Sequence, residues 1–205
     1  MAGALVLVGL LSGATVGPMA GQAPSTSTGA RTMFETGGVQ LVGLHIWFEN
    51  AAGEAFAEPS AAGAGTRVKM HLRGNAAGFV SVWMADATHE SIELTPRTDA
   101  GPDGLWTGSR LGVGQEFAVT RDLVVGSGSD ITRVVMLLGR SQTGQVGSLA
   151  ECREKLRRIG VRRAADGGPE LVSEIDRTTP GRVGHYVVNR SGNQTGVEIP
   201  IASAK

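Results

Sequence analysis

The plainest pattern in the chain lies at residues 66–73. Val68, Met70 and Leu72 alternate with Arg67, Lys69, His71 and Arg73. A period of two puts the apolar side chains on one face of a strand and the cations on the other. The segment therefore predicts a half-buried antiparallel strand with a cationic outer face. Asn75-Ala76-Ala77-Gly78 turns the chain into a second alternating run at 79–84, and the two together read as a hairpin. Residues 133–139 contain the unbroken run VVMLL and predict a central strand buried on both faces. Further strands are expected at 39–48, 91–94, 116–125, 171–176, 185–190 and 196–201. The last is expected to pair with its predecessor through Ser191-Gly192-Asn193. Turn-forming and small-residue stretches at 50–65, 97–104, 126–130 and 179–181 separate these runs.

One segment follows a different period. Ser148 and Glu151 match a capping box, and Leu149, Cys152, Leu156 and Ile159 recur at spacings of three, four and three before Gly160. This predicts a helix over 148–159 with Gly160 at its end. About eight strands, one helix and no strand–helix alternation give a mainly β chain. The expected architecture is an antiparallel β-sandwich with one α-helix near the C-terminal third. Val68, Met70, Leu72, Val80, Val82, Val134, Met136 and Leu138 should share its core.

The N-terminal stretch carries no charge before Arg31, and Ala4–Val16 is almost wholly small and aliphatic. Leaders that enter a membrane have this character, which places the rest of the chain outside the cytoplasm. Three readings of 1–23 stay open: a secretory signal ending near Ala20 or Ala23, a partial membrane anchor, or an ordinary buried element. No Lys or Arg follows Met1, Pro18 and Pro24 sit poorly for cleavage, and the run is shorter than the roughly 20 apolar residues of a full span. No Cys follows the apolar run, which excludes a lipid-modified N-terminus. Residues 24–37 read as a flexible linker and 38–205 as the β-sandwich domain. A chain beginning near Val39 should then be as stable as one beginning at Arg31.

Charge is balanced, 19 basic against 19 acidic residues, which argues against a nucleic-acid or dedicated polyanion binder. The 31 glycines have no fixed period, so they mark turns and not collagen. Cys152 is the only cysteine and cannot close an internal disulfide, which suits a bacterial extracytoplasmic fold held by its core. The sequons at Asn189 and Asn193 read as accidental in such a chain.

Candidate chemistry is sparse. His45, His71, His89 and His185 show no metal-ligand spacing. Asp99 and Asp103 fit a turn better than a calcium loop. Ser141 lacks the second glycine of a nucleophile elbow, Cys152 lies on an apolar helical stripe, and the glycine-rich loop 126–130 lacks a phosphate-binding Gly-Lys-Ser/Thr. No catalytic, metal or cofactor-binding residue emerges, and no cofactor is expected. Two basic groups are the candidate interaction surfaces. Arg153, Arg157 and Arg158, with Lys155, Arg162 and Arg163, surround the helix end, where cations suit the helix dipole; this reads as a solvated terminus ahead of a docking surface. Arg67, Lys69 and Arg73 flank His71 and read as the guard of an edge strand, ahead of a site for an anionic glycan or lipid.

Gly78-Phe79-Val80-Ser81-Val82-Trp83, then Leu94-Thr95-Pro96, then the VVMLLGRSQT segment, resemble a bacterial domain-of-unknown-function family. Its members are small β-sandwich-like modules appended to caspase-like peptidases, protein kinases, surface-layer proteins and membrane-anchored anti-sigma proteins. The resemblance spans about residues 66–140 and names no catalytic residue. It implies a non-enzymatic sensory or interaction module of the bacterial envelope, with a protein or envelope polymer as partner. A structural surface-layer component and a hydrolase accessory domain are the alternatives.

Overall fold

The computed structural model describes residues 29–37, 40–86, 91–95, 109–119, 121–125, 131–162 and 170–201. The leader at 1–23, His89, the Asp99–Asp103 turn, the loop 126–130 and Arg163 lie outside them. Two antiparallel sheets stack face to face. The larger runs in the order β10 (Leu171–Asp176), β11 (Gly184–Asn189), β1 (Val42–Asn50), β3 (Arg67–Gly74), β7 (Glu116–Ala118). Two short strands add to it: β2 (Ala55–Phe56) pairs with β1, and β8 (Leu123–Val124) with β3. The smaller sheet runs β12 (Gln194–Pro200), β9 (Ile131–Gly139), β4 (Gly78–Asp86), β5 (Ser91–Glu93), with β6 (Ser109–Leu111) also on β4.

The inner faces meet in one core. All eight residues expected to share it do so, joined by Leu44, Ile46 and Phe48 of β1 and Val187 of β11. The strand β9 is buried on both sides. Its Val134, Met136 and Leu138 face the opposite sheet, while Val135 and Leu137 lie under a helix, α2 (Leu149–Gly160). Leu149, Cys152 and Ile159 of α2 pack there with Trp83 and Ala85. The Ser148 side chain accepts a hydrogen bond from Glu151 N–H, as the capping signal predicts, while the Glu151 carboxylate reaches one residue further back, to Gly147 N–H at 2.9 Å.

A second helix, α1 (Ala30–Thr36), covers part of the larger sheet's outer face. Residues 30–36 were expected within a flexible linker, and the structure corrects this. Ala30 is fully buried and Phe34 is 8% exposed, packed with Tyr186 and Val188. Close approach is possible because β1 carries Gly43 here: a Cβ at that position would stand 3.0 Å from both Phe34 and Val188 side-chain carbons. Arg31 pairs with Asp176, whose other oxygen accepts from Thr178 and Thr179 N–H groups. Those bonds, that from Thr179 foremost, hold the Asp176 carboxyl well below the usual carboxylate range.

Three further expectations change. The turn at 75–78 is not a hairpin, because β3 and β4 belong to different sheets. The turn at 191–193 likewise crosses between sheets: β12 pairs with β9, not β11. The run 116–125 is two short strands, both beside β3. Alternation reports which face of a strand is buried, whereas its neighbour depends on where the chain crosses the core.

Changing Met136 to Asp should abolish cooperative unfolding, since an unpaired buried carboxylate costs several kcal/mol against a total of roughly 5–15 kcal/mol. The α1 contact makes a second, milder prediction. Phe34→Ala should lower stability by about 3 kcal/mol, the low end for a buried phenylalanine, with no change in the far-ultraviolet β signal. Chemical denaturation of both variants checks the two together.

Candidate functional site

The outer face of the larger sheet gathers side chains that the inner face cannot hold. Because Leu44, Ile46 and Phe48 point into the core, His45 and Trp47 must point out. The same rule sends Arg67, Lys69, His71 and Arg73 outward from β3 and Tyr186 outward from β11. Register then aligns four rings. Tyr186 lies opposite His45, and Trp47 opposite His71. The rings stack in a row, with centroids 4.3 Å apart for Tyr186–His45, 4.8 Å for His45–Trp47 and 5.2 Å for Trp47–His71. Contacts of this kind contribute about 0.5–1.5 kcal/mol each beyond area burial.

His45 is almost wholly enclosed. Its Nε2 lies 3.0 Å from the Val183 carbonyl, so it donates there, and Nδ1, buried without a partner, bears the lone pair. Gly184, at φ +152°, makes room for this: a Cβ there would stand 2.5 Å from His45 Nε2. Burial, aided by the nearby positive charge of Arg73, pushes the imidazole down to about 4, although the Val183 bond and Asp176 act the other way. Burial likewise pushes the Tyr186 hydroxyl up to about 12, and that hydroxyl donates to the Arg182 carbonyl at 2.8 Å.

The cationic ladder borders this row. It is not the guard of an edge: β3 is paired with β1 along one side and with β7 and β8 along the other. Among the described residues, no carboxylate lies within ion-pair distance of Arg67, Lys69 or Arg73. Of the carboxylates nearby, Glu49 stands opposite Lys69 in register and Asp122 shares its recess, neither within that distance, and two others are engaged elsewhere. Glu116 stands opposite Arg73 in register, yet bonds His71 Nδ1 at 2.7 Å; Glu35 pairs with Arg182 at 3.5 Å. Arg73 instead lies over the Phe34 ring, 5.8 Å from its centroid. Two recesses flank the ladder. One, of about 410 Å³, is lined by Arg67, Lys69 and His71 with Glu49, Asn50 and Asp122. The other, of about 440 Å³, is lined by Arg73, Phe34, Glu35, Asn75 and Val113.

The second basic group lies elsewhere, on α2, across the molecule on the outer face of the smaller sheet. Its charges are engaged. Arg157 and Arg158 share Glu154 at 2.9 and 2.8 Å, Arg153 meets Glu198 at 2.8 Å, and Lys155 meets Glu151 at 3.2 Å. The Arg157 and Arg158 guanidinium groups hold the Glu154 carboxyl down to about 2. The structure therefore separates the two candidate surfaces and pairs Arg153, Lys155, Arg157 and Arg158 with carboxylates, the two last sharing one.

The remaining candidates show no assembled chemistry. Ser141 takes φ +51°, uncommon for a non-glycine residue, but among the described residues no imidazole or carboxylate bonds its hydroxyl. Cys152 is fully buried, and burial pushes its thiol up to about 12, far from the thiolate form of a nucleophile. Asn189 of the first sequon is 1% exposed, and its amide nitrogen donates to Gln194 O at 2.6 Å. Among the described residues, no three His, Cys, Asp or Glu side chains gather as a metal site, and no helix is long and apolar enough to cross a membrane. Sequence reasoning found the ladder but missed His45, Trp47, Tyr186, Phe34 and Glu116. The signal for His45 and Trp47 was present, since they alternate with Leu44, Ile46 and Phe48 just as the cations alternate on β3.

Comparison with protein-family models, curated proteins and solved structures gives no match.

The neutral, enclosed His45 has a consequence for stability. The unfolded chain takes up a proton as pH falls through about 6.5, while the folded one resists until about 4. Stability is thus complete above pH 6.5 and is lost between there and pH 4, by roughly 3 kcal/mol. Asp176 adds a loss in the same direction at lower pH. Denaturant midpoints from pH 7.5 to 4.5 should show the fall, and His45→Gln should remove most of it; a remainder belongs to His185, which burial also lowers. Cys152, in turn, should resist alkylation in native buffer and react once the chain unfolds.

Proposed function

We propose that this chain is a non-enzymatic recognition module that works outside the bacterial cytoplasm and engages an anionic partner or polymer of the envelope. The uncharged leader supports the compartment. The observation that carries the binding face is the ladder of Arg67, Lys69 and Arg73, which is held on a paired strand with no carboxylate partner among the described residues. Arrays of unpaired cations on a rigid sheet cost self-repulsion, and an anionic ligand relieves it while steering association. The paired arginines of α2 offer no comparable vacancy and serve the helix end.

Co-sedimentation of the purified protein with isolated bacterial envelopes tests this. The triple change Arg67→Gln, Lys69→Gln, Arg73→Gln should reduce the bound fraction at least tenfold, and raising salt towards 0.5 M should mimic it by screening. Arg157→Ser with Arg158→Ser should leave binding intact and alter stability by under about 1 kcal/mol. The reading fails if the helix variant loses binding while the ladder variant keeps it, or if the unaltered protein does not bind at all.

A further inference from the structure

The recess at the Arg73 end of the ladder differs from the rest of the face. Arg73 is only half-buried, and both carboxylates that could neutralise it are committed elsewhere, Glu116 to His71 and Glu35 to Arg182. Asn75 braces the floor of the recess, its amide oxygen accepting from Gly43 N–H at 2.6 Å and its amide nitrogen buried. The walls on either side are apolar: the Phe34 ring beneath Arg73, and Val113, which is 70% exposed at the tip of a turn. That turn is fixed, with Gly114 N–H bonded to the Gly74 carbonyl at 2.8 Å. The recess thus offers a guanidinium without a carboxylate partner among the described residues, whose fork matches a carboxylate, and an apolar wall for the group next to that carboxylate.

Building on the binding face proposed above, we infer that the recess takes the C-terminal carboxylate of an extended acidic peptide whose last side chain is apolar. Arg73 receives the carboxylate, and Phe34 with Val113 packs the last side chain. The recess is open along the sheet, so it cannot enclose a free small acid as a closed pocket would. Further contacts must come from a chain that continues along β3. Arg67 lies six residues from Arg73 on the same strand face, roughly 20 Å away, so acidic side chains four to six residues before the terminus reach Lys69 and Arg67. Capture of a chain end by a charged donor beside an apolar pocket is a known recognition mode.

Titration calorimetry of the full chain with the peptide acetyl-Asp-Glu-Asp-Glu-Gly-Gly-Leu, as free acid and as C-terminal amide, decides the matter. The free acid should bind at least tenfold more tightly than the amide. Arg73→Gln should erase that difference while leaving the residual affinity that Lys69 and Arg67 supply. Val113→Glu, at an exposed turn where folding is not at stake, should erase it too by placing a like charge at the mouth. Equal binding of acid and amide, with both weakened by Lys69→Gln, would overturn recognition of the chain end and leave the binding face standing. Absence of binding by either peptide at 1 mM also overturns the inference, whereas envelope co-sedimentation judges the face independently.

Discussion

Val68, Met70 and Leu72 of β3 face Val80, Val82, Met136 and Leu138 across the sandwich, and the rest of the molecule follows from that contact. Side chains alternate along a strand with a period of two, so committing these three inward commits Arg67, Lys69, His71 and Arg73 outward as a set. A slip of one residue would drive four cationic or titratable groups into the core. The same constraint on β1 expels His45 and Trp47. Core and outer face are therefore one decision, and a ligand face of this composition is rigid because the core behind it is close-packed.

How carboxylates are shared distinguishes the two basic surfaces. On α2, a single Glu154 stands one turn before both Arg157 and Arg158 and engages each of them. Helical spacing of three and four makes such pairing local. On the sheet, the partner must come from another strand. Glu116 does come to β3, but His71 lies within its reach and takes its carboxylate. Arg73 is left to a cation–π contact with Phe34, and among the described residues no carboxylate takes its N–H donors. The unpaired state of Arg73 is thus a product of which side chain Glu116 meets and not of composition, which is neutral overall.

The helix α1 sets the limits of the face. By covering Tyr186 and Val188 it closes one end of the outer surface, and by presenting Phe34 it builds a wall of the Arg73 recess. Its anchorage is mixed: an apolar contact under Phe34, made possible by Gly43, and an ion pair between Arg31 and Asp176. The enclosed His45 links the same region to pH. An imidazole hydrogen bonded through one nitrogen and bare at the other cannot accept a proton without leaving a buried charge unanswered.

Periodicity in the chain was enough to name the fold class, the α2 helix with its cap, and the residues of the common core, because burial and capping are read from neighbours three, four or two positions away. It also placed Arg67, Lys69 and Arg73 together on one face. Tertiary structure alone decided the rest. Whether 75–78 closes a hairpin or crosses the core, and whether β12 lies beside β11 or β9, depends on contacts between residues far apart in sequence. Residues 30–36 have a composition that suits a linker, and became a helix because Phe34 found a glycine-floored site on β1. The ladder's meaning changed for the same reason. Alternation shows that Arg73 points outward, but only the register of β7 and the competing reach of His71 decide that no carboxylate meets it.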